Sequence, residues 1–292
     1  MLAGADVDVK QFVYHRCPTI ASTLWAAWRL MPCAFRLKVY KFLIYFGHKT
    51  SSSRVTRLPF GLYAKHGRNT SVTEALATQY ICVNTTIPVP TILDVLLEPA
   101  GTPFILMTRV PGTPLSEMPC TADELCDAQL SAFADTMARW LAQLRQLAPP
   151  PSGPDICGFM CTPFMSYRID HSRCVGPFSL DEFHHQYYCT LPPDADPEMR
   201  ALEKRIRQKP YRVCFTHGDL SPSNILVDKG YVPISLIDWG CAAWMPEYWE
   251  LTSSLHRRQR YTGWVQIFKA ALPQYEEELA VEMELWNFVM PW

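Results

Sequence analysis

Residues 215–226 read FTHGDLSPSNIL, and the apolar run ISLI that follows at 234–237 ends in Asp238. This pairing constrains the chain more than any other stretch. The runs at 212–215 and 225–227 are too short for helices and rich in β-forming side chains, so they read as strands around a loop carrying His217, Gly218, Asp219 and Asn224. Asp228-Lys229-Gly230 is a hairpin turn into the strand VPISLID. A strand-flanked carboxylate with an amide five residues on can orient a hydroxyl and hold a metal ion. Asp238, at the end of an apolar strand, would be held rigidly enough to bridge metal to phosphate.

What precedes the loop falls into two kinds of chain. Arg54–Leu58 and Leu62–Lys65 read as strands turned by Pro59-Phe60-Gly61, and Ser71–Val83 has helical spacing with Ser71 and Glu74 placed as a cap. IPVPTILDVLLEPAGTPFILMTRVPG reads as two apolar strands, broken by Pro111-Gly112. Beyond the break, Thr121-x-x-Glu124 is a capping box ahead of a long helix whose apolar residues Leu130, Phe133, Met137, Trp140, Leu141 and Leu144 recur at three- and four-residue steps. Segments 178–189 and 195–208 read as helices, and helices dominate from Pro246 on. The expectation is an α+β chain in two lobes, not an alternating doubly wound sheet. Residues 1–110 form the N-terminal lobe, with a helical extension over 1–50 and a small sheet with one helix over 51–110. Residues 111–292 form a larger, mainly helical lobe.

Charge divides along the same line. The 292 residues are nearly neutral overall, which argues against a nucleic-acid binder, yet residues 9–93 hold eleven Lys and Arg against one acid, Glu74. From Asp94 on there are sixteen basic and twenty-five acidic residues. A polyanion near the first part, and a cationic ligand near the second, would fit that asymmetry, as would ordinary surface charge. Asp181, Glu182, Glu247 and Glu250 are the acids that could receive an amine-bearing substrate. Eleven cysteines without a C-x-x-C pair point to reduced thiols and a cytoplasmic protein, with Cys157 and Cys161 spaced to share a helical face. Asp6 and Asp8 stand where a signal peptide would be basic. The apolar stretch Ile20–Phe46, interrupted by Arg29, Pro32, Arg36, Lys38 and Lys41, is too broken to span a bilayer and reads as amphipathic helix resting on the domain or, as the second choice, on a membrane surface.

Five polar residues each fit one part of a phosphoryl-transfer site. Asp219 could accept the proton of an attacking hydroxyl, and Asn224 offers a neutral oxygen to Mg2+. Asp238 could join metal to phosphate. Lys65 ends the strand LYAK with a cation of the length that reaches phosphate oxygens, and Glu74, on the next helix, could fix its ammonium. Singly, each has an ordinary explanation: strand-end Asp as a turn residue, edge Lys in solvent, loop Asn bonded to its own backbone. His184-His185 suggests a metal pair, but adjacent helical residues point apart. The ordered set of Lys, Glu, Asp-x-x-x-x-Asn and a strand-end Asp carries more weight than its members.

With these residues in view, HGDLSPSN and LIDWG resemble the catalytic and metal-binding loops of the aminoglycoside phosphotransferase and choline kinase-like enzymes, small-molecule relatives of protein kinases. The likeness extends to LPFGLYAKHG, EALATQYICVNTTIPVPTILDV, FILMTRVPGTPL, VGPFSLDEFHHQY and MPEYWE, covering roughly residues 54–255. It implies a bilobal protein kinase-like fold with ATP, or GTP, and Mg2+ between the lobes. It makes Asp219 the base, Asn224 and Asp238 the metal ligands, and Lys65 with Glu74 the phosphate-binding pair. Met107 and Arg109 of MTRVP lie at the nucleotide hinge, and His217 orients the loop. The implied reaction is phosphate transfer to a small-molecule hydroxyl, with an amine-bearing acceptor among the candidates. A protein kinase would carry Arg where Gly218 stands. The sequence departs from the pattern before Lys65, where GHKTSSSR occupies the place of a glycine-rich loop and no G-x-G-x-x-G is present. That departure motivates a second reading, a catalytically silent scaffold, and the intact Asp219, Asn224 and Asp238 count against it.

Overall fold

In a computed structural model, the described residues are 20–50, 54–67, 70–186 and 191–288. The segment with Asp6 and Asp8, the Ser51–Ser53 part of GHKTSSSR, and the end of the helix expected over 178–189 lie outside them. The chain divides into two compact units, Met1–Asn84 with Val89–Val110, and Thr85–Pro88 with Pro111–Trp292.

The first unit runs α1 (Ile20–Arg29), α2 (Cys33–Tyr45), β1 (His48–Lys49), β2 (Val55–Leu58), β3 (Leu62–His66), α3 (Val72–Asn84), β4 (Ile92–Leu97) and β5 (Pro103–Thr108). Its strands form one antiparallel sheet in the order β1-β2-β3-β5-β4. Pro59 presets the turn between β2 and β3, and Phe60 and Gly61 complete it at φ 62° and 69°. The alternation of a strand then decides what covers each face. Leu58, Ala64, Leu96, Phe104 and Leu106 pack with Leu37 and Tyr40 of α2. Ile92, Val95 and Ile105 pack with Ala75 of α3.

The N-terminal helices differ from the single amphipathic stretch that was expected. Pro32, with no N–H to donate, separates α1 from α2, and α2 is apolar on both its faces. Its inner face is fixed by a buried ion pair from Arg36 to Asp94 of β4, and the Tyr40 hydroxyl donates to the same carboxylate at 2.8 Å.

The second unit contains β6 (Thr113–Pro114), α4 (Asp127–Leu144), β7 (Cys157–Gly158), β8 (Phe164–Ser166), β9 (Asp170–Val175), α5 (Leu180–Gln186) and α6 (Pro197–Arg207). It continues with β10 (Val213–Thr216), β11 (Ile225–Val227), β12 (Pro233–Leu236), β13 (Ala243–Pro246), α7 (Trp249–Leu255), α8 (Thr262–Ala271) and α9 (Glu276–Phe288). Two small sheets, β10-β13-β7 and β12-β11-β6, carry the loop region. The predicted stripe of α4, Leu130 to Leu144, is buried, and Phe133 meets Trp264 of α8 edge-on at 6.4 Å. Each such side chain contributes about 1.5–3 kcal/mol by leaving water. The Thr121–Glu124 box forms, but it caps a single 3-10 turn at Ala122–Glu124. The long helix starts later, behind Cys126, where Gln129 returns to the backbone N–H. Leu125 and Cys126 are extended, so the two caps serve two separate elements. Cys157 and Cys161 lie on a strand and a 3-10 turn, not on one helical face, and burial pushes the Cys157 thiol up to about 12.

Candidate active site

One set of candidate residues is built on the sheet of the first unit. β3 is flanked on both sides, Lys65 facing Val55 of β2 and Ile105 of β5, so its backbone has no freedom to move. Ile105 belongs to the face that α3 covers, and Lys65 points to that face. α3 begins one residue after Ser71, whose hydroxyl accepts the Glu74 backbone N–H at 3.1 Å. This cap places Glu74 in the first helical turn, where the helix dipole favours a carboxylate. Its Oε1 lies 2.6 Å from Lys65 Nζ, and the two side chains are only 4% and 6% exposed. Lys65 is therefore a buried cation on a central strand, paired with Glu74, and not an edge residue in solvent.

Met107 lies on β5 and packs part-buried against the cluster of Ala75, Ile92, Val95 and Ile105. Arg109, exposed just beyond β5, donates its backbone N–H to Gly61 at 2.7 Å. β1 and β2 pair as a hairpin, His48 with Arg57 and Lys49 with Thr56, around residues 51–53. A hairpin thus precedes the lysine strand although the glycine pattern is absent.

A second set lies in the second unit on the loop between β10 and β11, and a single imidazole organises it. His217 is fully buried; its Nδ1 accepts the Asp219 backbone N–H at 3.3 Å, and its Nε2 lies 3.0 Å from the Ile237 carbonyl. With Nδ1 accepting, Nε2 must carry the proton and donate to Ile237, so the ring is the neutral Nε2–H tautomer. His217 therefore links the residue before Asp238 to the backbone of Asp219. Trp239 packs on the same ring at 4.6 Å.

Gly218 sits at φ +76°, and a Cβ there would come within 2.4 Å of the Cys241 carbonyl oxygen. The glycine is required because the turn after Asp238 presses on the loop before Asp219. This contact gives the physical reason that no arginine stands at 218.

Asn224 completes the frame. Its amide nitrogen donates to the Asp219 carbonyl at 2.8 Å and to the Asp219 carboxylate at 2.9 Å, while its own carbonyl accepts the Ile237 N–H at 3.0 Å. Using the nitrogen in this way leaves the side-chain oxygen as the end of the amide presented to a cation. Asp238 takes a left-handed conformation at φ 64°, and its carboxylate does not cap the 3-10 turn of Trp239–Cys241 that follows.

Sequence reading missed the residue that holds the loop from below. Glu250 of α7 accepts the backbone N–H groups of His217 at 2.6 Å and Gly218 at 3.1 Å. Complete burial pushes its carboxyl up to about 7, against the lowering effect of those two bonds. Glu250 had been grouped with acids available to an amine; its carboxylate is instead taken by the protein's own backbone. Glu247 likewise binds Arg212 and the Tyr275 hydroxyl, and Glu182 caps its own helix at Ser179. Asp181 lies 3.5 Å from His185 at the surface. His184 is buried, with Nε2 2.9 Å from the Tyr248 hydroxyl, so the two histidines do point apart. A second missed residue is Arg258, beyond α7. Burial lowers its pKa, and the neighbouring Asp219 charge opposes that shift. Only burial and tertiary position distinguish Glu250 and Arg258 from other charged residues, and neither is visible in a local pattern.

The donors gathered here are carboxylate and amide oxygens, which suits Mg2+ among the common ions. Among the described residues no group of three or more His, Cys, Asp or Glu is gathered as a metal cage. Mg2+ does not need one, since it is usually held by one or two carboxylates with substrate phosphates and water. The residues therefore fit the ion.

Comparison with known proteins bears on the family and the fold. Residues 65–284 match the phosphotransferase enzyme family. No curated protein matches the chain. Among solved structures, a thermostable mutant of aminoglycoside phosphotransferase APH(4)-Ia in ternary complex with AMP-PNP and hygromycin B is similar at a TM-score of 0.54 and 16% identity, over 84% of this chain and 87% of that one. Aminoglycoside phosphotransferase APH(4)-Ia itself gives 0.53 and 16%, over 85% and 88%. The GDP and kanamycin complex of APH(2")-IIia gives 0.51 and 14%, over 83% and 86%. At these identities the likeness establishes the fold, and the expected protein kinase-like α+β architecture is the one observed.

Proposed function

Since the chain belongs to the phosphotransferase enzyme family, we propose that it transfers the terminal phosphate of ATP or GTP, with Mg2+, to a hydroxyl of a small molecule. The observation that carries the reading is the frame shared by Asp219 and Asn224. One amide holds the proposed base by two hydrogen bonds and keeps its own oxygen for a cation.

In the proposed reaction the acceptor oxygen attacks the terminal phosphorus, its proton passes to the Asp219 carboxylate, and the bond from phosphorus to the bridging oxygen breaks as the diphosphate leaves. Asn224 and Asp238 would hold the Mg2+, which when bound neutralises charge on the transferred group. Lys65, fixed by Glu74, would bind phosphate oxygens. Met107 would pack on the base, and Arg109, whose backbone N–H is already engaged by Gly61, would offer its carbonyl. The neighbours crystallised with hygromycin B and kanamycin make amine-bearing hydroxyl compounds the first acceptors to try. The engaged state of Glu182, Glu247 and Glu250 leaves the acceptor class wider than amines.

Thermal-shift titration with ATP and GTP, with and without Mg2+, tests the assignment. A nucleotide at about 100 times its dissociation constant stabilises the fold by about 2.7 kcal/mol. The expected result is a Mg2+-dependent shift that Asp238→Ala abolishes. Asp219→Asn should keep the shift and lower diphosphate release with an active acceptor by about 10²–10⁴-fold. A wild-type protein that shows no shift at millimolar nucleotide is the silent scaffold. A shift lost in Asp219→Asn would remove Asp219 from the role of base.

A further inference from the structure

α2 has two apolar faces, and the sheet covers only one of them. The inner face, with Leu37 and Tyr40, is buried, and the ion pair of Arg36 with Asp94 fixes the helix's rotation on the sheet. The outer face carries Phe35, Lys38, Phe42, Tyr45 and Phe46, a spacing that lines one side of a helix. Phe35 is 49% exposed, Phe42 63%, Tyr45 84% and Phe46 56%, and Leu30 in the preceding link is 86% exposed. These rings pack largely on each other, Phe42 against Phe46 at 5.1 Å and Tyr45 against Phe46 at 5.3 Å. Scattered surface apolar residues need no explanation, but a contiguous ridge of aromatic side chains beside an already covered face marks an interaction surface.

The charges around the ridge indicate what it meets. Lys38 stands within it, exposed, and Lys41 lies beside it with its ammonium 2.7 Å from Glu98. His48 and Lys49 follow, also exposed. No Asp or Glu occurs from residue 9 to residue 73. Exposed aromatic rings interleaved with lysine, without an acid among them, have the composition that settles into the headgroup layer of an anionic bilayer. Among the described residues no helix is long and apolar enough to cross a membrane, so the contact would lie on the surface. A second copy of the chain is a poorer occupant: joining two such faces sets Lys38 against Lys38 with no carboxylate in the stretch to answer it. A convex ridge also needs a matching groove on a protein partner, whereas lipid headgroups part around it.

We propose that the outer face of α2 docks this chain peripherally on anionic phospholipid, with Phe35, Phe42, Tyr45 and Phe46 entering the headgroup layer and Lys38 meeting lipid phosphates. The site is separate from Lys65 and Glu74 on the opposite face of the sheet, so docking and phosphoryl transfer can be tested apart.

The full chain would be sedimented with phosphatidylcholine vesicles, with and without phosphatidylserine, at low and high salt. The expected result is partition to the anionic vesicles only, weakened by salt. Phe42→Ser/Phe46→Ser and Lys38→Glu should each lower the partition coefficient at least about tenfold. Both variants should keep the wild-type melting temperature and nucleotide response, since no residue changed contributes to the inner face. Absence of wild-type binding overturns the proposal, as does equal binding by the variants. Light scattering supplies the other test: a wild-type dimer that Phe42→Ser/Phe46→Ser converts to monomer would assign the ridge to a second copy.

Discussion

The two sets of candidate residues, one in each unit, hold their charges by different means. Lys65 stands on a strand paired on both sides, and its ammonium is paired with the Glu74 carboxylate in a capped helical turn. Asp219 stands on a loop, and the loop needs everything: Glu250 on two backbone N–H groups, His217 on a third, and Asn224 on the carbonyl and carboxylate. A regular element satisfies its own backbone and leaves only the side-chain charge to be answered. An irregular one must find partners for backbone and side chain together, so its precision is spread over many weak bonds. The first set is therefore sensitive to a single deletion, and the second depends on space and on the groups beneath it.

Breaking the ion pair gives the largest expected effect. Glu74→Ala leaves the Lys65 ammonium buried without its counter-ion and should cost about 3–5 kcal/mol in equilibrium urea unfolding. The double variant Lys65→Met/Glu74→Leu removes both charges and should regain most of that loss while remaining without the nucleotide-dependent thermal shift. Stability would then have been separated from function at one pair. A double variant as unstable as the single one would mean that Lys65 and Glu74 act independently, and the contrast between the two sets would fail.

Gly218 provides the corresponding test of the loop. Gly218→Ala imposes a left-handed conformation on alanine, costing about 1–3 kcal/mol, and drives a methyl group onto the Cys241 carbonyl. Because the carbonyl belongs to the turn after Asp238, the variant should lose Mg2+-dependent nucleotide binding as well as stability. Retention of that binding at wild-type affinity would show that Asp219 and Asp238 are not held by the common contact.

How much could be read from the chain follows the same division. Lys65 and Glu74 were legible because Glu74 is the only acid in its stretch, and Asp219, Asn224 and Asp238 because their spacing between strands is local. The strand pair around Pro59 to Gly61 and the buried stripe of α4 were legible through period and turn chemistry. Glu250 was not, because its role depends on a partner more than thirty residues away in sequence and on complete burial. The second apolar face of α2 escaped for a related reason. An apolar stripe interrupted by cations reads as amphipathic until a sheet reveals which side is already covered. The Thr121 box shows the limit of a correct motif: the cap formed, but on a 3-10 turn preceding the helix it was expected to start.

Proton binding supplies the smallest effect and the finest test of the loop's support. The Glu250 carboxyl, pushed from 4.5 to about 7 by burial, binds its proton more tightly folded than unfolded. Its contribution is fully present below the unfolded value and is lost as pH rises toward 7. His184 works in the opposite sense: burial lowers it to about 4, so its contribution is present above 6.5 and is lost as pH falls. His256, lowered to about 3 by burial, acts in the same direction as His184. Between 4.5 and 6.5 the carboxyl offsets one of the two imidazoles, and wild-type stability should rise with pH by up to about 1.4 kcal/mol per pH unit on their account. Glu250→Gln removes the carboxyl's share and leaves the imidazoles unopposed. Its unfolding free energy should rise with pH across that window more steeply than the wild type's, by up to about 1.4 kcal/mol per pH unit. Denaturant unfolding at pH 5 and pH 6.5 reads the difference directly. Parallel profiles would mean that Glu250 is ionised in the fold throughout the window, supporting the His217–Gly218 backbone as an anion, and the loop would then rest on a buried charge just as Lys65 does.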